Sequence, residues 1–204
     1  MDHNWKEKTE RAGDEAPEEA IPQPDGTWQQ HLGYIAIALG LTGITLNIVY
    51  LQYILPTIGY LVLYIQMRKL RIQGDGLRTA WKFSGAMAVL WAAAVILEAT
   101  PYLIGLRFVL GIVFTGLRIL FLISLRTGLS ERFGDEPSQS DPLMWLLVLH
   151  IAMTIFGLIG LGQFLPLAIA FIIGYIFLLT QLCTLGDELD ALEIGFTEPD
   201  DLEW

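Results

Sequence analysis

Few residues in the apolar part of the sequence could do chemistry, and all of them are ionisable. They are Arg107, Arg118, His150 and Glu98. A charged side chain is costly in an apolar environment, so such residues commonly mark a functional site. A guanidinium is always charged and presents a planar set of donors that suits carboxylate or phosphate. These residue types therefore point to the binding of an anion.

Arg107 and Arg118 are expected to share one face of a helix. They are eleven residues apart, and eleven steps of about 100° bring a side chain back to within about 20° of its starting direction. Gly111 lies between them and leaves room for a ligand. We interpret this face as an anion-binding site that also includes His150 and Glu98.

The same residues have a structural interpretation, which the sequence leaves open. Both arginines lie within about two turns of a predicted membrane boundary, so each could extend to the lipid headgroups. Arg107 could pair with Glu98, and Glu98 could instead cap a turn. A lone histidine such as His150 is commonly a hydrogen-bonded contact between helices.

The sequence lacks the common catalytic signatures. It contains no HExxH, G-x-S-x-G, P-loop or CxxC motif. The single cysteine, Cys183, cannot form an intramolecular disulfide or a cysteine cluster, and one histidine within the apolar stretches is too few for a haem with paired axial histidines. We expect neither an enzyme nor a cofactor.

The elements that position these residues are predicted to be membrane-spanning helices. Hydrophobic residues make up 53% of the 204 residues and charged residues 17%, with a mean hydropathy of +0.51. These values are too apolar for an ordinary water-soluble domain. Apolar stretches cover residues 33–51, 53–70, 81–97, 102–125, 143–161 and 164–185, and most approach the ~20 residues that cross a bilayer.

We predict an all-α, polytopic transmembrane bundle of six spans arranged as three hairpins. Each hairpin would turn where a polar residue precedes a proline, at residues 52–56, 98–101 and 163–166. The alternative has five spans, with residues 33–67 as one helix. That helix would be about 50 Å long, well beyond the hydrocarbon core.

Charge divides the chain into three parts. Residues 1–31 hold eight acids and three bases and are predicted to be a disordered tail. Residues 32–185, the transmembrane domain, hold nine bases and six acids, and residues 186–204 hold eight acids and no base. Because the tails are acidic and the net charge is negative, we expect no nucleic-acid partner.

Lysines and arginines indicate the orientation. Arg68, Lys69, Arg71, Arg78 and Lys82 flank the first long loop, and Arg126 and Arg132 flank the second. The positive-inside rule places both loops and both termini in the cytoplasm, with the protein in the plasma or inner membrane. Trp28, Trp81 and Trp145 are expected near the cytoplasmic interface.

The carboxyl-terminal tail has an amphipathic pattern. Leu185, Leu189, Leu192 and Phe196 recur at helical spacing between acidic residues. Leu189, Leu192, Phe196 and the terminal Trp204 could bind a basic protein surface. The segment could equally be the frayed end of the last span.

Two functions follow as expectations. The first is a non-enzymatic membrane protein that binds or transports an anionic solute or lipid headgroup, as a small permease or a transport accessory. The second is a membrane scaffold or regulatory subunit that recruits a cytoplasmic protein through its acidic tails. In both, the lipid bilayer is a partner.

Overall fold

A computed structural model describes residues 26–43, 51–98, 106–134, 141–159 and 165–197 of the chain. These residues form helices, with no strand among them. The helices are α1 (Trp28–Gly43), α2 (Leu51–Leu70), α3 (Asp75–Glu98), α4 (Leu106–Phe133), α5 (Pro142–Leu158) and α6 (Leu165–Thr197). The all-α prediction is confirmed for this part of the chain.

Three of these helices are long and apolar enough to cross a membrane. The qualifying segments are Asp75–Leu97 in α3, Val109–Phe133 in α4 and Leu165–Glu193 in α6. The described parts of α1 and α5 have 16 and 17 residues, which is about 24–26 Å of helix and less than the ~30 Å hydrocarbon core. Helix α2 has 20 residues but ends in Arg68 and Lys69.

Consecutive helices pack side by side, and α6 returns to pack against α1. His31, near the start of α1, bonds to Gln66, near the end of α2. Trp28 at the start of α1 bonds to Glu193 near the end of α6. Neighbouring helices therefore run antiparallel, and the six close into a ring in which the start of α1 meets the end of α6.

The first hairpin forms, but not at the predicted corner. A Cβ on Gly59 of α2 would lie 2.8 Å from the Ala38 carbonyl oxygen of α1, whereas these residues would be about 30 Å apart in one straight helix. The alternative of a single helix over residues 33–67 is therefore wrong. The predicted corner at 52–56 lies within α2, where Pro56 is buried inside the helix. The helix continues past it, although proline has no amide hydrogen for the usual bond to the carbonyl four residues earlier.

The other two predicted corners coincide with helix boundaries. Helix α3 ends at Glu98, and α6 begins at Leu165 with Pro166 as its second residue. Proline is favoured in the first turn because amides there have no partner within the helix. Residues 99–105, which follow α3, and residues 160–164, which precede α6, lie outside the described part of the chain.

The bases predicted to face the cytoplasm lie together at one end of the ring. Arg132 pairs with Glu193 at 3.3 Å. Arg126 pairs with Asp141, which also caps α5 by accepting a hydrogen bond from the Met144 amide at 3.0 Å. We call this the basic end, defined by Arg68, Lys69, Arg71, Arg78, Lys82, Arg126 and Arg132.

Side chains fill the interior of the ring, and apolar side chains also cover its outside. Phe121, Leu63 and Met67 are fully or almost fully buried. Large apolar residues are exposed on all six helices, for example Ile37, Leu61, Val89, Ile112, Ile155 and Ile173. An apolar outer surface of this extent is typical of helices that face lipid.

Glycines make the closest contacts between helices. A Cβ on Gly76 of α3 would lie 2.6 Å from the Gly128 Cα of α4. A Cβ on Gly186 of α6 would lie 2.6 Å from the Gln29 Cα of α1. Gly157 of α5, by contrast, is exposed, and a methyl group added to it would have nothing within 4 Å among the described residues.

Candidate functional site

Arg118 lies near the middle of α4, and its side chain turns into the ring. Helix α4 has 28 residues, and Arg118 is more than three turns from either end. Its Nη2 atom donates to the Leu39 carbonyl oxygen of α1 at 3.2 Å and to the Tyr175 hydroxyl of α6 at 2.6 Å. The guanidinium is therefore held between helices and does not extend toward a helix end.

The Leu39 carbonyl is the acceptor that organises this contact. The Tyr175 hydroxyl donates to it at 2.8 Å, and the Thr42 hydroxyl donates to it at 3.0 Å. The Tyr175 oxygen thus accepts from Arg118 and donates to Leu39. Helices α1, α4 and α6 are linked by one hydrogen-bonded group, which we call the Arg118 cluster: Leu39, Thr42, Arg118 and Tyr175.

The Arg118 cluster forms one wall of a cavity of about 340 Å³. That volume is at the small end of the ~300–1,000 Å³ of ligand pockets. Gly43, Phe156 and Leu167, which lie far from the basic end, also line it. The cavity thus extends from the middle of the ring toward the opposite end.

The remaining wall is mainly apolar. Phe156 of α5 and Phe171 of α6 have ring centroids 5.6 Å apart, and Met153 and Ile172 lie beside them. Aromatic and aliphatic side chains around a few polar groups are typical of a small-molecule site. The cavity suits a ligand with one charged group and an apolar body.

His150 joins Arg118 at the polar end of this cavity. It lies on α5, lines the same space and is half-buried. Its backbone carbonyl accepts from the Thr154 hydroxyl at 2.8 Å, while the imidazole ring makes no hydrogen bond to any described residue. Arg118 and His150, both predicted from the sequence as anion ligands, thus line one cavity.

The charge of Arg118 has no acidic counterpart in the described residues. The acidic side chains that the structure describes, Asp75, Glu131, Asp141, Asp187, Glu188, Asp190 and Glu193, all belong to the basic end. Arg118 is partly buried, and a cation withdrawn from water is stabilised by an opposite charge or by several hydrogen bonds. Arg118 has two hydrogen bonds to neutral groups and lies 5.9 Å from the Tyr175 ring centroid.

The other candidate anion ligands lie partly outside the described structure. Arg107 and Glu98 belong to α4 and α3, but their side chains are outside the described part of the chain. Their predicted contribution to the site therefore stays a prediction.

The acidic end of α6 is held within the molecule. Helix α6 continues without a break to Thr197. Asp190 accepts from the Trp28 and Gln29 amides at 2.6 and 2.9 Å, and Glu193 accepts from the Trp28 indole at 2.8 Å. Trp28, expected at the membrane interface, is fully buried here against Phe133, with ring centroids 5.1 Å apart.

The four residues predicted to bind a partner protein differ in their exposure. Leu189 is buried in the ring and Leu192 is 44% exposed. The Phe196 side chain and all of Trp204 lie outside the described residues. In the described structure, only Leu192 of these four presents its side chain to the outside.

Sequence reasoning missed several polar residues that the fold brings together. Tyr175 gave a weak signal, as a tyrosine within an otherwise apolar stretch. His31 lies before the first predicted span, yet it is 2% exposed and its Nδ1 donates to the Gln66 side-chain oxygen at 2.9 Å. Its Nε2 has no partner among the described residues.

No protein-family model, curated protein sequence or solved structure matches this chain. The chemistry of the cavity is therefore the guide to function. A fixed guanidinium and an imidazole face an apolar space of ligand size. This arrangement can hold a carboxylate or phosphate group with an attached apolar body.

Proposed function

We propose that this chain is a non-enzymatic multi-pass membrane protein that binds an amphipathic anion in the cavity beside Arg118. The anion is a carboxylate or phosphate compound, either a small solute or a lipid headgroup. One observation carries the proposal: Arg118 and His150 line the same cavity, and no described carboxylate pairs with the arginine.

The physical reason is the cost of an uncompensated cation in an apolar environment. Two neutral acceptors satisfy only part of a guanidinium, which has five N–H donors. An anionic ligand adds charge-assisted hydrogen bonds, which are about twice as strong as neutral ones. An anion bound beside Arg118 therefore supplies stabilisation that the protein itself does not give to this guanidinium.

The proposed topology has all six helices crossing the membrane, with both termini and both basic loops in the cytoplasm. Antiparallel packing of neighbouring helices and the position of the basic end support this arrangement. The cavity then opens toward the outer side. A permease or a transport accessory would receive its anion there.

Binding of phenyl phosphate and benzoate tests the proposal, with benzamide as the uncharged comparison. The protein would be placed in phosphatidylcholine nanodiscs and titrated by calorimetry. We expect binding of the two anions and no binding of benzamide. Arg118→Gln should weaken binding by about tenfold or more, since it removes charge-assisted hydrogen bonds.

Arg68→Gln is the matched control, because Arg68 is exposed at the basic end and outside the cavity. It removes the same charge and should leave binding unchanged. Equal affinity of the wild type and a folded Arg118→Gln variant would contradict the proposal. Flux of the same anions into proteoliposomes would separate a permease from a binding accessory.

The second function, recruitment of a cytoplasmic protein, is supported by one exposed surface at the end of α6. Asp187, Glu188 and Leu192 are exposed there, whereas Asp190 and Glu193 bond within the molecule. Asp187→Asn/Glu188→Gln/Leu192→Ser should release a co-purifying protein if this function holds. These changes leave the contacts of Asp190 and Glu193 with α1 in place.

A further inference from the structure

A second, separate cavity lies at the turn between α2 and α3. It has a volume of about 690 Å³ and is lined by Arg71, Gln73, Asp75, Arg78 and Trp81, among others. It is at the basic end, far from the cavity beside Arg118. Its polar character sets it apart from the apolar grooves on the outside of the ring.

A tight turn brings the two arginines together. The Gln73 amide donates to the Leu70 carbonyl at 3.0 Å, and the Arg78 amide donates to the Gly74 carbonyl at 2.9 Å. Helix α2 therefore ends and α3 begins within a few residues. Arg71 and Arg78 project from the two sides of this turn and line the same cavity.

The cavity carries excess positive charge. Residues 68–82 contain five bases and one acid, Asp75. Neither Arg71 nor Arg78 forms an ion pair with a described residue. Glu131, an acid that approaches the turn from α4, is engaged by the Gly76 amide at 2.9 Å. The charge of the two arginines is thus left for a ligand.

Aromatic and apolar groups border the charged ones. The Arg71 guanidinium carbon lies 4.9 Å from the Trp81 ring centroid, and Ile72 is 53% exposed. The Trp81 indole nitrogen is buried and has no hydrogen-bond acceptor among the described residues. Trp beside Arg and an exposed apolar residue is the composition of a membrane–water interface.

We propose that this cavity binds the phosphate of an anionic glycerophospholipid of the inner leaflet. Arg71 and Arg78 hold the phosphate, and the Trp81 ring and Ile72 contact the upper part of the acyl chains. The N-terminus of α3, which lies at the same turn, favours negative charge there. The site is independent of the anion cavity beside Arg118 and rests only on the proposed membrane location and orientation.

Native mass spectrometry of the full chain tests the proposal. Delipidated protein would be mixed with phosphatidylglycerol or phosphatidylcholine, and the bound lipid counted. We expect preferential retention of phosphatidylglycerol. Arg71→Gln/Arg78→Gln should reduce that retention by about tenfold or more, since it removes both cations that hold the phosphate.

The matched control is Arg68→Gln/Lys69→Gln, which removes the same charge from exposed residues at the same end. It should reduce retention much less. An equal loss in both double variants would mean diffuse surface charge and would overturn the proposal. The single Arg78→Gln variant, which keeps Arg71 on Trp81, should show an intermediate loss even if the double variant fails to fold.

Sodium phosphate separates the two sources of the anion. If inorganic phosphate alone binds the delipidated protein as tightly as phosphatidylglycerol does, the ligand is free phosphate and the lipid assignment is overturned. Arg118→Gln should retain phosphatidylglycerol as the wild type does. If the cavity beside Arg118 binds no anion, the retention of phosphatidylglycerol would therefore be unaffected.

Discussion

At the scale of single residues, Arg118 is held by neutral oxygen atoms from two other helices. The Leu39 carbonyl and the Tyr175 hydroxyl accept from it, and Tyr175 in turn donates to Leu39. The structural interpretation of Arg118, extension to lipid headgroups, is not the geometry observed. The arginine is fixed in position at the cavity wall.

Tyr175→Phe tests the contribution of this hydroxyl. The change removes the two hydrogen bonds that join α6 to Arg118 and to Leu39, and should reduce the free energy of unfolding by about 1–2 kcal/mol. Unfolding the protein in mixed micelles that contain an increasing fraction of a denaturing detergent would measure this loss of free energy. Tyr34→Phe, at a residue that is 51% exposed, should have little effect; equal effects of the two changes would contradict the role given to Tyr175.

The sequence alone identifies some of the groups at the cavity beside Arg118, but not all of them. Arg118 and His150 stand out in the sequence because charge is rare in apolar stretches. Leu39 does not, since its contribution is a backbone carbonyl that any residue would supply. Only the packing of α1 within the ring brings that carbonyl within reach of the arginine.

At the scale of helices, the contact between α3 and α4 depends on Gly76 and Gly128. A methyl group on Gly128 would overlap the Leu77 amide nitrogen. A methyl group on Gly76 would lie 2.6 Å from the Gly128 Cα. Backbone atoms cannot move aside as a flexible side chain can. These two glycines therefore set the distance between the helices.

Gly128→Ala is expected to destabilise the protein by about 1–3 kcal/mol, the usual cost of overpacking. Thermal unfolding in detergent would measure the loss. Gly116→Ala on the same helix is the control, because its added methyl group would have nothing within 4 Å among the described residues. Alanine is the better helix former, so this control should be neutral or slightly stabilising; a comparable loss in both would disprove the close contact.

The start of α1 is capped from two sides. Thr27, which precedes the helix, accepts from the Gln30 amide through its Oγ1 at 3.2 Å, and Asp190 of α6 accepts from the amides of Trp28 and Gln29. Asp190→Ala should cost about 1–2 kcal/mol and speed amide exchange at Trp28 and Gln29. Asp187→Ala removes the same charge from an exposed residue of α6 and should leave exchange at α1 unchanged.

At the scale of the whole molecule, the ring places the start of α1 and the end of α6 side by side. The Trp28 to Glu193 contact and the close approach of Gly186 to Gln29 fix this arrangement. Residues 26 and 197, at which the described part of the chain begins and ends, therefore both lie at the basic end.

Cysteine labelling tests that arrangement. Thr9→Cys and Asp201→Cys, each made in a Cys183→Ser background, should react with a membrane-impermeant maleimide in inside-out vesicles and not in intact cells. The reason is that the start of α1 and the end of α6 lie at the basic end, which we propose to face the cytoplasm on the positive-inside rule. Labelling of either residue from outside would show that the proposed orientation is wrong.

The sequence by itself determined the helical class, the approximate extent of most helices and the end of the bundle that carries the bases. These properties depend on local composition and on charge, which do not require knowledge of neighbours. The predicted corner at residues 52–56 is wrong because proline is tolerated inside helices of membrane proteins as well as between helices, and α2 continues past Pro56.

Only the tertiary structure decided which polar groups meet. The Arg118 cluster, the cap of α1 by Asp190 and the contact of Gly76 with Gly128 each join residues more than 50 positions apart in the sequence. Helical periodicity states which residues share a face of one helix, but not which helix that face meets. The order of helices in the ring, and hence the walls of the cavity, is set by packing between those faces.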